Sequence, residues 1–124
     1  MPKTILVVDD AEALYRLYDV LLNGLGYNSV ILTSGAEAHE KITGGLEYDI
    51  AIFDKTLEDK RITGDSLAKL SLELHPTVPV IRASAMPVDD NARDPRQKYI
   101  QKPFTLAELG KAIEEACAEK QAKN

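Results

Sequence analysis

Five short stretches of mostly apolar residues recur along the chain, and turn-forming or charged residues bound each of them. They fall at 5–8, 28–32, 48–54, 78–83 and 99–101. Apolar runs of this length are typical of strands that are buried on both faces of a parallel sheet. The pattern therefore predicts five parallel strands in one layer.

Apolar residues spaced by three and four positions lie between most of these strands and indicate amphipathic helices. Such stripes cover 14–25, 67–74 and 106–117, and capping boxes at Ser34 and Thr105 mark the start of two helices. Short connections between alternating strands and helices require right-handed crossovers, which put helices on both faces of the sheet. We therefore expect a doubly wound α/β fold around a five-stranded parallel sheet.

The segment between the fourth and fifth predicted strands departs from this alternation. Pro87 and Pro95, together with several Asp and Asn residues, leave only Val88 and Ala92 as apolar candidates for a buried helix face. We expect at most a short or irregular fourth helix between 86 and 98.

The 124 residues are enough for one compact domain, which we expect over residues 1–121 with a frayed tail at 122–124. The net charge is −5 and no basic stripe is visible, so we expect no direct contact with nucleic acid. No apolar run reaches the roughly 18 residues of a membrane span, and the first strand follows too early for a signal peptide. A single cysteine suits a reducing compartment. We expect a cytoplasmic protein without membrane association.

Polar side chains stand where the predicted strands end. Asp9 and Asp10 follow the first strand, Asp54 ends the third, Ser84 follows the fourth and Lys102 follows the fifth. The carboxyl ends of parallel strands meet at one edge of the sheet, where open α/β folds hold their sites. We therefore expect these five side chains to converge.

Three converging carboxylates repel one another unless protons or a cation relieve the repulsion. Because the donors are all oxygens, Mg²⁺ fits better than Zn²⁺. The ammonium of Lys102 can pair with Asp54 at rest and with a phosphoryl oxygen during reaction, and Ser84 adds a hydroxyl. These groups predict a phosphoryl-accepting site with Asp54 as the nucleophile. The plainer alternative is that each aspartate caps a helix or a loop, and it is strongest for the pair Asp9 and Asp10.

Four motifs in this order resemble the receiver domain of two-component response regulators. They are Leu6 to Asp10, the strand ending at Asp54, the pair Ser84-Ala85, and Lys102-Pro103-Phe104. The resemblance covers essentially the whole chain and implies a flavodoxin-like (βα)5 receiver fold. It further implies a signalling domain, not an enzyme, that accepts a phosphoryl group from a histidine kinase or phosphotransfer protein. A conformational switch would then carry the signal to a protein partner.

The resemblance also implies a metal site. Asp10 and Asp54 would hold Mg²⁺ together with the backbone carbonyl of Thr56, and Asp9 would support the metal through water. Asp54 would be the phosphoacceptor itself.

Three further residues match positions with known roles in the family. The resemblance implies that Lys102 contacts the phosphoryl group, that Ser84 is the switch hydroxyl and that Tyr99 is the switch aromatic. In that mechanism the hydroxyl moves to the phosphoryl oxygens and the ring turns inward behind it.

Two departures from the family pattern leave alternatives open. The chain lacks the proline usual after the acceptor, and it is slightly longer between Asp54 and Gly64 and shorter between Ser84 and Lys102.

A degenerate receiver, acting as an interaction module independent of phosphorylation, is one alternative. A phosphohydrolase with an aspartate nucleophile is another, although Thr56 stands where such enzymes usually have a second acid. A flavin carrier is disfavoured because the acidic loop after the first strand would repel a phosphate.

Overall fold

Strands and helices alternate along most of the chain in the computed structural model, which describes residues 2–54, 62–87, 89, 91 and 93–123. The described residues form five strands and four α-helices: β1 (Thr4–Val8), α1 (Glu12–Gly24), β2 (Asn28–Leu32), α2 (Gly35–Thr43), β3 (Ile50–Asp54), α3 (Gly64–Leu74), β4 (Val80–Ser84), β5 (Gln97–Gln101) and α4 (Leu106–Lys123). Each strand boundary lies within two residues of its predicted position. The predicted doubly wound, flavodoxin-like α/β fold is confirmed.

The five strands form one parallel sheet in the order β2-β1-β3-β4-β5. The strand order reverses at β1, which lies between β2 and β3, and such reversals open a crevice at the carboxyl edge of the sheet. The register pairs Val8 with Phe53, and it pairs Asp54 with Ala83. The residues that follow β1 therefore lie level with the end of β3.

Residues of the strands point alternately to two apolar layers. One face packs against α2 and α3 and includes Leu6, Val8, Ala51, Phe53 and Val80. The other face packs against α1 and α4 and includes Ile5, Val7, Ile50, Ile52 and Ile81. All ten of these side chains are almost completely buried, and the nine that are larger than alanine each contribute roughly 1.5–3 kcal/mol by leaving water. This core fixes the strand ends that carry the polar residues.

Three leucines of the predicted apolar stripes are exposed instead of buried. They are Leu17, Leu74 and Leu106, which retain 43%, 49% and 44% of their accessible surface. Leu74 is the last residue of α3 and Leu106 is the first of α4, so both lie at helix ends. Leu17 lies beside Pro103 and Phe104 at the rim of an open groove. Periodicity identifies the inward face of a helix but not where the sheet beneath it ends.

The connection between β4 and β5 is irregular. Its described residues, 85–87, 89, 91 and 93–96, contain no α-helix, as the two prolines and the scarcity of apolar positions predicted. As far as these described residues show, the (βα)5 alternation is interrupted here. In the part of the chain that the structure describes, no helix combines the length and apolar character that a membrane span requires.

Candidate functional site

Three carboxylates lie together at the carboxyl edge of the sheet, as the strand ends predicted. One carboxylate oxygen from each of Asp9, Asp10 and Asp54 lies within 4.8 Å of the other two. Asp9 is 2% exposed and Asp54 is 8% exposed, whereas Asp10 is only partly buried. Buried carboxylates this close together need compensating positive charge.

Lys102 supplies part of that charge. Its Nζ lies 2.5 Å from Oδ2 of Asp9 and 3.3 Å from Oδ1 of Asp54. The backbone N–H of Lys102 donates a hydrogen bond of 2.7 Å to the carbonyl of Ser84, which ties the lysine to the end of β4. The predicted pairing with Asp54 is present, and the shorter contact is to Asp9.

Asp9 is held from several sides. Its Oδ1 accepts a hydrogen bond of 3.0 Å from the backbone N–H of Ala11, just before α1 begins. Its Oδ2 faces both the ammonium of Lys102 and the hydroxyl of Tyr18, which lies 3.5 Å away. Both oxygens of this carboxylate are therefore engaged by protein donors.

Tyr18 is a site residue that the sequence analysis missed. It belongs to the apolar stripe of α1 and is 1% exposed, so periodicity identifies it as a core residue. Burial, together with the negative charges of Asp9 and Asp54, raises the pKa of the Tyr18 hydroxyl well above its usual range. The hydroxyl is therefore a neutral donor directed at the acidic cluster. The signal in the sequence that could have identified this residue is a tyrosine, which carries a hydroxyl, among the leucines of the apolar stripe.

Ser84 and Tyr99, the two predicted switch residues, are both engaged with the connection between β4 and β5. The Ser84 hydroxyl donates to the carbonyl of Met86 at 2.8 Å and accepts from the Met86 N–H at 3.2 Å. The Tyr99 hydroxyl accepts a hydrogen bond of 2.7 Å from the N–H of Asp94, and the guanidinium of Arg93 lies 5.2 Å from the ring centroid. Their switch roles stay predictions.

The residues of the cluster fit a hard divalent cation. Among the described residues, three carboxylates face the one ammonium of Lys102, so the acidic groups outnumber the cation that contacts them. All three ligating residues offer oxygen, and partly exposed Asp10 leaves the cluster accessible from solvent. The assignment of Asp10 and Asp54 as the direct ligands of Mg²⁺, with Asp9 acting through water, stays a prediction. The predicted carbonyl ligand, Thr56, lies outside the described residues.

The fold and this edge define the class of the protein: a doubly wound, flavodoxin-like α/β domain with an acidic site and a lysine at the carboxyl ends of its strands. The family model described as the response regulator receiver domain matches residues 5–114. The chain belongs to this family. Receiver domains are signalling domains of two-component systems and are not classical enzymes.

Solved structures agree with this assignment. A CheY-like response regulator receiver domain protein from Methanospirillum hungatei is 26% identical, with both chains covered completely and a TM-score of 0.83. A response regulator receiver protein from Sinorhizobium medicae is 25% identical, with 96% of this chain and 97% of that chain covered and a TM-score of 0.87.

The N-terminal domain of a response regulator/sensory box/GGDEF three-domain protein from Carboxydothermus hydrogenoformans is also 25% identical. The alignment covers 98% of each chain, and the TM-score is 0.83. A comparison with curated proteins finds no match to this chain.

Proposed function

We propose that this chain is a phosphorelay receiver that accepts a phosphoryl group on Asp54 from a histidine kinase or phosphotransfer protein. The reaction depends on Mg²⁺, and the output is a conformational switch read by a protein partner. The observation that carries the proposal is the convergence of Asp9, Asp10 and Asp54 within 4.8 Å, with Lys102 3.3 Å from Asp54.

In the transfer step, a carboxylate oxygen of Asp54 attacks the phosphorus of the donor phosphohistidine. A P–O bond forms and the P–N bond breaks, and its electron pair stays on the imidazole nitrogen, which takes up a proton. The protein mainly orients the reactants and neutralises the charge on the phosphoryl oxygens. Lys102 lies close enough to Asp54 to provide one such positive group. A bound Mg²⁺, held by Asp10 and Asp54, would supply further neutralisation of these oxygens.

An apolar groove of about 290 Å³ adjoins the site and gives the donor a surface to contact. Leu14 and Leu17 of α1 line one side, and Pro103 and Phe104 line the other. Lys102 belongs both to this groove and to the acidic cluster. A phosphohistidine protein seated in the groove would therefore hold its phosphoryl group beside Asp54.

The switch would begin at Ser84 and Tyr99. At rest their hydroxyls are paired with Met86 and with the N–H of Asp94. A phosphoryl group on Asp54 adds oxygens that can accept a hydrogen bond from Ser84, which would break its pairing with Met86. The expected result is a rearranged connection between β4 and β5.

We further propose that the domain spans residues 1–121, with a frayed tail at 122–124, and works in the cytoplasm.

Thermal melting with Mg²⁺ and beryllofluoride, a mimic of the phosphoryl group, tests this function. We expect millimolar Mg²⁺ to raise the melting temperature of the wild type by relieving repulsion, and beryllofluoride to raise it further, since both bind the folded state. Asp10→Ala should abolish the response to Mg²⁺, and Asp54→Asn should abolish the response to beryllofluoride. A wild type that responds to neither, or an Asp54→Asn variant that behaves identically to it, would remove the proposal.

A further inference from the structure

Tyr18 connects the acidic cluster to the loop that carries Lys102. Its hydroxyl lies 3.5 Å from Oδ2 of Asp9, and its ring packs at a tilt against Phe104, with 5.7 Å between the ring centroids. Phe104 follows Lys102 by two residues. Tyr18 therefore contacts Asp9 of the Asp9 and Lys102 ion pair directly, and it contacts the loop that carries Lys102 through Phe104.

The Tyr18 hydroxyl and the Lys102 ammonium face the same oxygen atom. Lys102 reaches Oδ2 of Asp9 at 2.5 Å, whereas the hydroxyl stands at 3.5 Å, beyond the roughly 2.5–3.0 Å of an ordinary O–H···O hydrogen bond. The other oxygen of Asp9 accepts from Ala11. At rest the ammonium is the dominant donor to Oδ2, and the hydroxyl makes only a long contact.

Phosphoryl transfer changes this arrangement, and here the inference rests on the proposed function. When the ammonium of Lys102 turns to the phosphoryl group on Asp54, Asp9 loses its closest positive partner. Asp9 is 2% exposed, so bulk solvent cannot readily replace that donor, and a water on a bound Mg²⁺ would supply only part of what the carboxylate accepts. Leaving a buried carboxylate short of a donor is costly.

We propose that Tyr18 is a positioning residue whose hydroxyl takes over Oδ2 of Asp9 when Lys102 turns to the phosphoryl group. The hydroxyl is already directed at this oxygen and needs to approach it by less than 1 Å to form an ordinary hydrogen bond. A phenol carries its proton at neutral pH, so the Tyr18 hydroxyl is available as a donor. Tyr18 thereby lowers the free energy of the phosphorylated state relative to the resting state.

The test compares Tyr18→Phe with a matched control, Tyr48→Phe. Tyr48 is also buried, but its hydroxyl is paired at 2.7 Å with Ser71 of α3, on the opposite face of the sheet. Each substitution removes one buried hydroxyl and keeps the ring. Calorimetry measures the affinity for beryllofluoride at saturating Mg²⁺, and thermal melting without ligands measures the stability of the resting state.

The two variants should separate these quantities. We expect Tyr18→Phe to weaken beryllofluoride binding about threefold to tenfold, the loss of one ordinary hydrogen bond, while its melting temperature stays within about 2 °C of the wild type. We expect Tyr48→Phe to lower the melting temperature by about 3–5 °C and to leave beryllofluoride affinity unchanged. A purely structural role for the Tyr18 hydroxyl would instead lower stability and spare the affinity.

The outcomes distinguish the inference from the function on which it rests. A wild type that fails to bind beryllofluoride overturns the proposed function, and the inference with it. A wild type that binds, with Tyr18→Phe binding equally well, overturns the inference alone. Tyr18→Leu also lacks the hydroxyl and serves as a second variant if Tyr18→Phe does not fold. It should lose beryllofluoride affinity to at least the same extent as Tyr18→Phe.

Discussion

Gly64, the first residue of α3, lies against the end of β3. A Cβ atom added to it would stand 1.9 Å from the carbonyl oxygen of Asp54 and 2.8 Å from Nη2 of Arg82. The first of these distances is far inside van der Waals contact, and the clashing atom belongs to the backbone. Any side chain at this position must therefore displace α3 or the end of β3, and with it Asp54.

Gly64→Ala is expected to damage both stability and the site. Overpacking of this kind typically costs about 1–3 kcal/mol, and the shift of Asp54 should weaken beryllofluoride binding about tenfold or more. Gly24→Ala is the matched control, since a Cβ there meets no atom within 4 Å. Denaturant unfolding and calorimetry would measure the two effects. Equal stability and equal affinity in the two variants would contradict this account.

At the residue scale the sequence predicted the groups that stand at strand ends and missed those that reach the site from elsewhere. Asp54 and Lys102 were recognisable because a polar residue directly follows an apolar strand. Tyr18 was not, because helical periodicity does not reveal what an inward hydroxyl contacts. Periodicity also does not show the contacts of Arg82, which lies within the apolar strand β4, is 2% exposed and donates to Asp65 of α3 at 2.7 Å.

At the element scale, the connection between β4 and β5 is held by polar contacts centred on Asp94. Its carboxylate accepts from the backbone N–H and guanidinium of Arg96, each at 2.9 Å, and from the side chain of Gln97 at 3.2 Å. Its backbone N–H donates to the hydroxyl of Tyr99. Gln97 in turn accepts from Arg82 of β4 at 3.2 Å. In the described residues, this network holds the segment where an amphipathic helix would otherwise pack.

The network makes stability depend on pH through Asp94. The hydrogen bonds and charge of Arg96 lower the pKa of this carboxyl from 3.8 to about 2 in the folded protein. A carboxyl with a depressed pKa stabilises the fold above its unfolded value, and that contribution is lost as the pH falls through the folded value. The contribution of Asp94 is therefore complete at neutral pH and disappears between about pH 4 and pH 2.

Asp94→Asn should accordingly lower the free energy of unfolding at neutral pH by about 0.5–1 kcal/mol, the scale of a largely solvated ion pair. The difference from the wild type should shrink as the pH is lowered from 4 to 2, measured by denaturant unfolding. Asp89→Asn is the control in the same segment, because its carboxylate accepts from the N–H of Asn91, a bond that an amide oxygen can retain. A gap for Asp94→Asn that is constant with pH would refute the assignment.

The elements themselves were largely predictable. Apolar runs located all five strands, and Pro87 and Pro95 predicted the irregular connection, because proline and the lack of an apolar stripe act locally. The contacts of Asp94 with Gln97 and Tyr99 were not predictable in the same way. They depend on the path of a polar segment across β5, and no repeating pattern specifies that path.

At the scale of the whole molecule, the site exists only when the entire sheet is assembled. Lys102 and Asp9 are 93 positions apart in sequence, and they meet because β1 and β5 present their carboxyl ends at one edge. Sequence order predicted that edge, and the pairing of Lys102 with Asp54 was expected. The closer contact of Lys102 with Asp9 was not expected. The end of a strand specifies where the lysine side chain begins, but not which of two neighbouring carboxylates its ammonium reaches.

We propose above all that this edge of the sheet makes Asp54 a magnesium-dependent phosphoacceptor. The most direct test is intact-mass spectrometry after incubation with a small phosphodonor such as acetyl phosphate. We predict that the wild type gains the mass of one phosphoryl group in the presence of Mg²⁺, and gains none after chelation of the metal. Asp54→Asn should gain none under either condition. An unmodified wild type would contradict the claim and favour a degenerate receiver that acts independently of phosphorylation, and equal modification of Asp54→Asn would place the acceptor on another residue.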